Sequence, residues 1–415
     1  MKISIIGAGY VGLVTGVCLA KLGNEVVLID IDEEKLEAIR NKVSPIYEEG
    51  LDELLDQVHI EVSTDYGKIL HSDVIFICVG TPSDKSGSIS LKYITETTKQ
   101  IAQQLKDRED YCVVVVKSTV PPGITEKQVI PILETSGRKV GGDFGVCMCP
   151  EFLREGKAIY DFMNPARVII GEYDGKSGDM IYNLYQSFNA PILRTNLRTA
   201  EMIKLASNAF LSTKISFINE LGNICKQLGI DIYDVVKGMA FDDRIGGKFL
   251  NAGVGFGGSC LPKDLRMLIA GAKEIGYVPT MLEEVLNLND AQTLKLVELL
   301  KKHVPLKDAV IGLLGLAFKP GTDDVRDSGA IKIVEVLLKE GAKVKAYDPL
   351  AVKNFSKLFP QIDYVTKEEV LNSDAILIIT EWEEFNNLDY KGKIVIDGRR
   401  VSKAKEARIY EGICW

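Results

Sequence analysis

The chain has 415 residues, 46% of them hydrophobic and 26% charged, with a formal net charge of −8. That length exceeds one ordinary core and predicts two or three domains. The acidic balance, with no basic block, argues against a nucleic-acid partner, and no apolar run reaches the roughly 18 residues of a membrane span.

The N-terminus opens directly on a strand. It lacks separate charged, apolar and small-residue regions, so no signal peptide is expected. The eight cysteines lie mostly inside apolar segments, as in a reduced, cytoplasmic protein rather than a disulfide framework. Cys147 and Cys149 would share one strand face, but no second Cys or His pair accompanies them, and no metal site is expected. Three histidines (His59, His71, His303) stand outside any motif, which leaves acid–base chemistry to Lys, Asp or Glu.

Lys2 to Ile6 reads as a strand, followed at once by Gly7-Ala8-Gly9-Tyr10-Val11-Gly12. Leu13 to Leu22 reads as a helix stopped at Gly23, and Glu25 to Ile29 as a second strand with Asp30 at its end. This is the strand, glycine turn, helix, strand and acid of a dinucleotide site. The glycines permit a tight turn, the helix N-terminus faces the phosphates, and the acid bonds a ribose hydroxyl. Asp30 would repel a 2′-phosphate, favouring NAD over NADP, while the turn alone also admits FAD.

Strands over Asp73–Val79, Cys112–Val116 and Phe144–Met148 continue the alternation, with a helix from Leu91 to Leu105. They run into Gly80-Thr81-Pro82, into Lys117 through Gly123, and into Pro150-Glu151-Phe152-Leu153-Arg154-Glu155-Gly156. Turns at the carboxyl ends of parallel strands line the ligand crevice, although each alone also suits an ordinary connection. Glu151 and Glu155 have the spacing to share a helix face, as a site or as a solvated first turn.

Thr199 to Leu228 reads as one long helix on which Lys204 and Asn208 project together among apolar neighbours. A buried lysine needs a carboxylate partner or a function; a surface lysine would snorkel. Helices over 231–241, Asp264–Ile275 and Met281–His303 follow, and Arg244 to Gly258 is a long glycine-containing loop. At its end stands Gly255-Phe256-Gly257-Gly258-Ser259-Cys260-Leu261-Pro262-Lys263-Asp264. Cys260 would begin a helix, where a thiolate is favoured, with Asp264 one turn on; the alternative is a turn and a buried cysteine.

From Asp308 the alternation returns: strands over Val310–Leu316, Lys343–Ala346, Ala375–Thr380 and Lys393–Ile396, and a helix over Ile331–Glu340. Without a full glycine turn, this second unit suits a phosphate-bearing substrate better than a second dinucleotide. The expected fold is α/β: two Rossmann-type doubly wound domains joined by a central helical domain with a long helix. The expected bounds are 1–196, 197–296 and 297–415.

Taken together, the glycine turn, Ser118-Thr119-Val120-Pro121, Pro150 to Gly156, the Lys204/Asn208 helix, Gly257 to Asp264, and Phe318-Lys319 through Asp324 and Arg326 resemble the UDP-glucose 6-dehydrogenase group of nucleotide-sugar dehydrogenases, from end to end. The resemblance implies an NAD domain, a central helical domain forming a homodimer, and a C-terminal domain holding UDP-glucose. It implies a four-electron oxidation at C6 through a Cys260 thiohemiacetal and thioester. Lys204 and Asn208 would serve the oxyanion, Asp264 and Lys204 would manage protons, and Glu151 would activate water with Thr119 positioning it.

For NAD the resemblance carries Gly7, Ala8, Gly9, Tyr10, Val11, Gly12, Asp30, Lys35, Gly80, Thr81, Pro82, Ser118, Thr119, Val120, Glu155, Ser259 and Arg326. For the sugar nucleotide it carries Glu151, Phe152, Leu153, Arg154, Lys204, Asn208, Phe249, Leu250, Asn251, Ala252, Gly253, Gly257, Phe318 and Lys319, with Arg399 or Arg400 on the diphosphate. Arg244 would reach a neighbouring subunit's site. One departure is Gly329-Ala330, where many relatives have proline; it touches the start of a helix and no chemistry. GDP-mannose, UDP-N-acetylglucosamine and UDP-N-acetylmannosamine enzymes share the cysteine chemistry and stand as alternatives.

Overall fold

The structure, a computed structural model, describes residues 1–82 and 89–415. It divides into two compact units, Met1–Ser207 and Asn208–Trp415. The first is built on eight strands: β1 (Lys2–Ile6), β2 (Glu25–Ile29), β3 (Glu61–Ser63), β4 (Val74–Ile77), β5 (Val113–Val116), β6 (Gly145–Met148), β7 (Val168–Glu172) and β8 (Ile192–Asn196). Their order is β3-β2-β1-β4-β5-β6-β7-β8, parallel except where β7 meets β6.

The central strands are apolar throughout because both faces of the sheet are covered. Val74 and Phe76 of β4 join one buried cluster with Val113, Val115 and Cys147. Ile75 and Ile77 join the opposite cluster with Val114, Val116 and Val146. Full burial of each such side chain is worth about 1.5–3 kcal/mol. Cys147 and Cys149 lie on the same face, as the strand period requires, within apolar packing.

A helix of 32 residues, Leu197–Leu228, begins in the first unit and ends in the second. At 1.5 Å per residue it is about 48 Å long. Helices Ile232–Met239, Leu261–Glu274 and Thr280–Lys301 follow. The second sheet comprises β9 (Val310–Leu314), β10 (Lys343–Tyr347), β11 (Asp363–Tyr364), β12 (Ala375–Ile378), β13 (Ile394–Asp397) and β14 (Ile409–Gly412). Its order, β11-β10-β9-β12-β13-β14, repeats that of the first six strands of the other sheet. Its core joins Leu296, Val297 and Leu300 of the last central helix to Ile311, Leu313, Ile333 and Leu337.

Several expectations need correction. The helix expected from Asp264 begins at Leu261, directly after Cys260, and the strand expected over Val310–Leu316 ends at Leu314. The first helix begins at Tyr10 rather than Leu13, because the glycine turn leads straight into it. Glu151 and Glu155 share no helix face: residues 150–154 are not helical, and the next helix is Ala158–Met163. The Glu151 carboxylate instead accepts the Leu153 N–H at 2.7 Å, and Gly156 takes φ +75°, which turns the chain.

Candidate active site

The strand order of the first sheet reverses between the parallel neighbours β1 and β4, and the turn after β1 carries the dinucleotide motif. Gly7 has φ +105°, and a Cβ there would lie 2.8 Å from the Cys78 carbonyl oxygen. A Cβ on Gly12 would lie 1.8 Å from the Gly7 oxygen, so the turn closes only with glycine. At Gly9 a Cβ would meet nothing within 4 Å, which leaves an open approach to the start of helix Tyr10–Lys21. That helix has no side-chain cap, so its first N–H groups suit an anionic ligand. Asp30 accepts from Ala8 N at 2.5 Å and Asp32 N at 2.9 Å and remains half-exposed. Lys35 pairs with Asp32 at 3.2 Å. These residues fit a dinucleotide with an unphosphorylated ribose.

Val79, Gly80, Thr81 and Pro82 follow β4, and Ser118 ties that turn down by donating to the Val79 carbonyl at 2.7 Å. Thr119 and Val120 are buried beside it in the chain. Glu151, 7% exposed, accepts from Lys204 Nζ at 2.8 Å, and Lys204 is 3% exposed. Burial opposes the charge on Glu151, but the ammonium of Lys204 and its hydrogen bond outweigh this, and the carboxyl is held below its usual range. The Phe152 ring lies 3.8 Å from the Arg167 guanidinium and 5.5 Å from Lys204 Nζ. Arg154 forks onto Asp161 at 2.6 and 2.8 Å, and Leu153 and Glu155 are half-buried beside it.

In the second unit, Cys260 caps helix Leu261–Glu274, and its carbonyl accepts the Asp264 N–H at 2.9 Å. Of the eight free cysteines, the other seven are buried and Cys260 alone is partly accessible. Asp264, 1% exposed, accepts from Asn208 Nδ2 and Lys263 Nζ, both at 2.6 Å. Ser259 Oγ is 3.5 Å from Cys260 Sγ. Gly258 has φ +83°, and a Cβ there would lie 2.6 Å from the Phe318 ring. The glycines before Cys260 therefore serve packing within the chain: Gly258 N also donates to Arg326 O at 2.9 Å, and a Cβ on Gly257 would lie 2.2 Å from Asp327 O.

Lys319 Nζ lies 5.7 Å from the Phe318 ring, and Arg326 forks onto Asp324. Arg399 donates to Ile379 O at 2.7 Å and Phe318 O at 3.4 Å; Arg400 pairs with Asp231 at 2.7 Å. Leu250 and Ala252 are buried in the apolar core, while Phe249, at φ +63°, and Asn251 are exposed. Gly253 N donates to Asn219 Oδ1 at 2.8 Å. Within 249–253, Phe249 and Asn251 alone present exposed side chains. Arg244 is an exposed side chain forked onto Asp242.

The acid at the matching place in the second sheet is closed to a ligand. Asp348 follows β10 as Asp30 follows β2, but it is 2% exposed. Its carboxylate accepts from Leu316 N, Ala317 N, Leu350 N, Ala351 N and Trp382 Nε1, all within 3.0 Å. No acceptor capacity remains for a ribose.

Sequence reasoning misses Glu48 and Glu201, and gives no role to Lys117 within the turn that it does pick out. Lys117 is 6% exposed, lies 6.0 Å from the Phe76 and Tyr185 rings, and helps keep Glu151 ionised. Glu201, fully buried, accepts from Thr125 N at 2.9 Å and from Gly123 N. It anchors the turn after Thr119 to the long helix one turn before Lys204. No spacing in the sequence advertises any of them.

Three family models match in order: the NAD binding domain of the UDP-glucose/GDP-mannose dehydrogenase family over 1–189, its central domain over 198–291 and its UDP binding domain over 312–404. UDP-glucose 6-dehydrogenase AglM of Haloferax volcanii is 41% identical, with 100% of both chains covered. UDP-glucose 6-dehydrogenase TuaD of Bacillus subtilis is 44% identical over 98% of this chain and 90% of its own. A UDP-glucose dehydrogenase structure from Pyrobaculum islandicum superposes with a TM-score of 0.96 at 38% identity, covering 100% of this chain and 98% of its own. With the glycine turn, the lysine–glutamate pair and the capping cysteine each in place along a full-length match, the chain belongs to the UDP-glucose/GDP-mannose dehydrogenase family.

Proposed function

We propose that the protein oxidises UDP-glucose at C6 to UDP-glucuronate, consuming two NAD per sugar. The observation that carries the mechanism is Cys260: the one cysteine that is not buried, at a helix N-terminus, where the peptide dipole favours negative charge. NAD, when bound, accepts a hydride from C6 in each of the two oxidations. In the first, Lys204 and Asp264 manage the hydroxyl proton as C6 becomes an aldehyde.

The Cys260 sulfur then adds to the aldehyde carbon. Lys204 and Asn208 donate to the resulting oxyanion, and the aldehyde is held covalently. Loss of the second hydride from that thiohemiacetal leaves a thioester. Water attacks the thioester carbon, its proton passes to Glu151 with Thr119 positioning it, and the C–S bond breaks to release the carboxylate and the thiolate. The Lys204 pairing keeps Glu151 ionised and able to accept that proton.

The site reading assigns Gly7 to Gly12, Asp30, Lys35, Gly80 to Pro82, Ser118 to Val120, Glu155, Ser259 and Arg326 to NAD. It assigns Glu151 to Arg154, Lys204, Asn208, Phe249 to Gly253, Gly257, Phe318, Lys319 and Arg399 to the sugar nucleotide. The proposed functional division remains 1–196, 197–296 and 297–415. Phe210, Phe217, Ile224 and Leu228 remain exposed on the long helix, at 64%, 46%, 51% and 67%, which supports a homodimer through the central domain, with Arg244 serving a neighbouring site. Placement in the cytoplasm rests on the free thiols; no helix among the described residues is long and apolar enough to cross a membrane.

The deciding assay is NADH yield with limiting UDP-glucose and excess NAD. Two NADH per sugar is the expected result. One NADH would reduce the enzyme to a simple alcohol dehydrogenase. None would move the substrate to GDP-mannose or an N-acetylated UDP-sugar, tested in the same way.

A further inference from the structure

Glu48 has no part in the chemistry above, yet its residue is only 7% exposed. It stands just before helix Leu51–Gln57, in a stretch that reads as an ordinary polar turn. One carboxylate oxygen accepts the Ala158 N–H at 2.6 Å. The other accepts the Gly156 N–H at 2.7 Å and the Tyr10 hydroxyl. Gly156 N also reaches the Tyr10 oxygen at 2.9 Å. One buried carboxylate thus joins three segments separated by 38 to 110 residues of chain.

We propose that Glu48 is a positioning residue that locks the Glu155–Gly156 turn to the dinucleotide-binding turn through Tyr10. Burying a carboxylate is costly unless its acceptors are used. A local serine or aspartate could cap the Ala158 N–H at lower cost. What Glu48 adds over a local cap is the bond to Tyr10, which lies inside Gly7–Gly12. Burial first and Glu48 second push the Tyr10 phenol upward, so it stays a neutral donor to the carboxylate.

On the other side, Arg154 is fixed by its fork onto Asp161 and Gly156 by Glu48, with Glu155 between them. The proposal rests on the assignment of Gly7–Gly12 to the pyrophosphate and of Glu155 to the nicotinamide end. Under that assignment, Glu48 sets the spacing between the parts of the site that grip the two ends of the cofactor.

The test is Glu48→Gln, which keeps the shape but presents an NH2 to one of the three donors. NADH binding is read by fluorescence titration without any sugar. Losing a charge-assisted bond should weaken it about tenfold. The kcat should fall while the KM for UDP-glucose stays within about twofold of wild type, as expected for a defect confined to the cofactor side. Amide exchange at residues 155–158 should speed up. Tyr10→Phe, a milder change, should weaken NADH about threefold, and the double variant should be no worse than Glu48→Gln alone. Tyr10→Phe carries the test if Glu48→Gln does not fold.

Folded variants that bind NADH as wild type does would overturn the proposal. So would a lowered melting temperature with unchanged NADH affinity. A wild-type protein that binds NADH but leaves UDP-glucose unoxidised would sink the substrate assignment, while the sugar-free titration would still decide the role of Glu48.

Discussion

Lys204→Met is the most informative single change to the site. Lys204 Nζ and Glu151 Oε1 are 2.8 Å apart, with both side chains almost wholly buried. At that distance an effective dielectric of about 20 gives an attraction of about 6 kcal/mol, against several kcal/mol to desolvate each ion. The intact pair is therefore near balance, but removing the lysine strands a buried carboxylate. The expected loss is about 3–5 kcal/mol at neutral pH, read as a lower urea midpoint.

The sign with pH follows from Glu151. In the wild type its folded value is depressed, so its contribution is present above the ordinary carboxylate range and is lost as pH falls through the folded value. Without Lys204, burial should outweigh what the Leu153 N–H and Lys117 still supply, the folded value should rise, and the variant should be relieved by acid. The two stability curves should therefore converge as pH drops below about 4. A double variant, Lys204→Met with Glu151→Leu, should recover most of the lost stability. Equal losses at pH 7 and pH 4, or a double variant as weak as the single ones, would refute the account.

Glu201→Ala should cost about 2–5 kcal/mol, because it leaves the Gly123 and Thr125 N–H groups without their acceptor; thermal melting checks this. Phe210→Lys with Phe217→Lys should shift the sedimentation coefficient from dimer to monomer; an unchanged dimer would remove the long-helix interface from the reading. Gly258→Ala, at φ +83° and 2.6 Å from the Phe318 ring, should cost about 1–3 kcal/mol in melting experiments.

The parts of this fold that were legible share one property: their causes are local. Val113–Val116 and Val74–Ile77 read as strands because both faces are buried, and the glycine turn with Asp30 is a short-range pattern. β8 left no such trace, since its residues are half-buried or exposed in no regular alternation and form no long apolar run. The Glu151–Glu155 spacing misled because a backbone bond to Leu153 and a left-handed Gly156 outcompeted helix formation. Lys204 was readable as a buried lysine, but its partner, 53 residues away, was not identified. Glu48 and Glu201 bond backbone groups at distances of 76 to 110 residues, where side-chain periodicity carries no information.

The acids that close β2 and β10 turn the same topological position to opposite ends. Alanine at Asp30 should leave a folded protein that holds NAD poorly and no longer discriminates against NADP. Alanine at Asp348 should orphan four backbone N–H groups and an indole, giving a chain recovered mostly as aggregate. One half of a repeated architecture has thus kept its acid available to a ligand, and the other has spent it as a keystone. A screen for altered cofactor choice should find viable clones at the first position and almost none at the second.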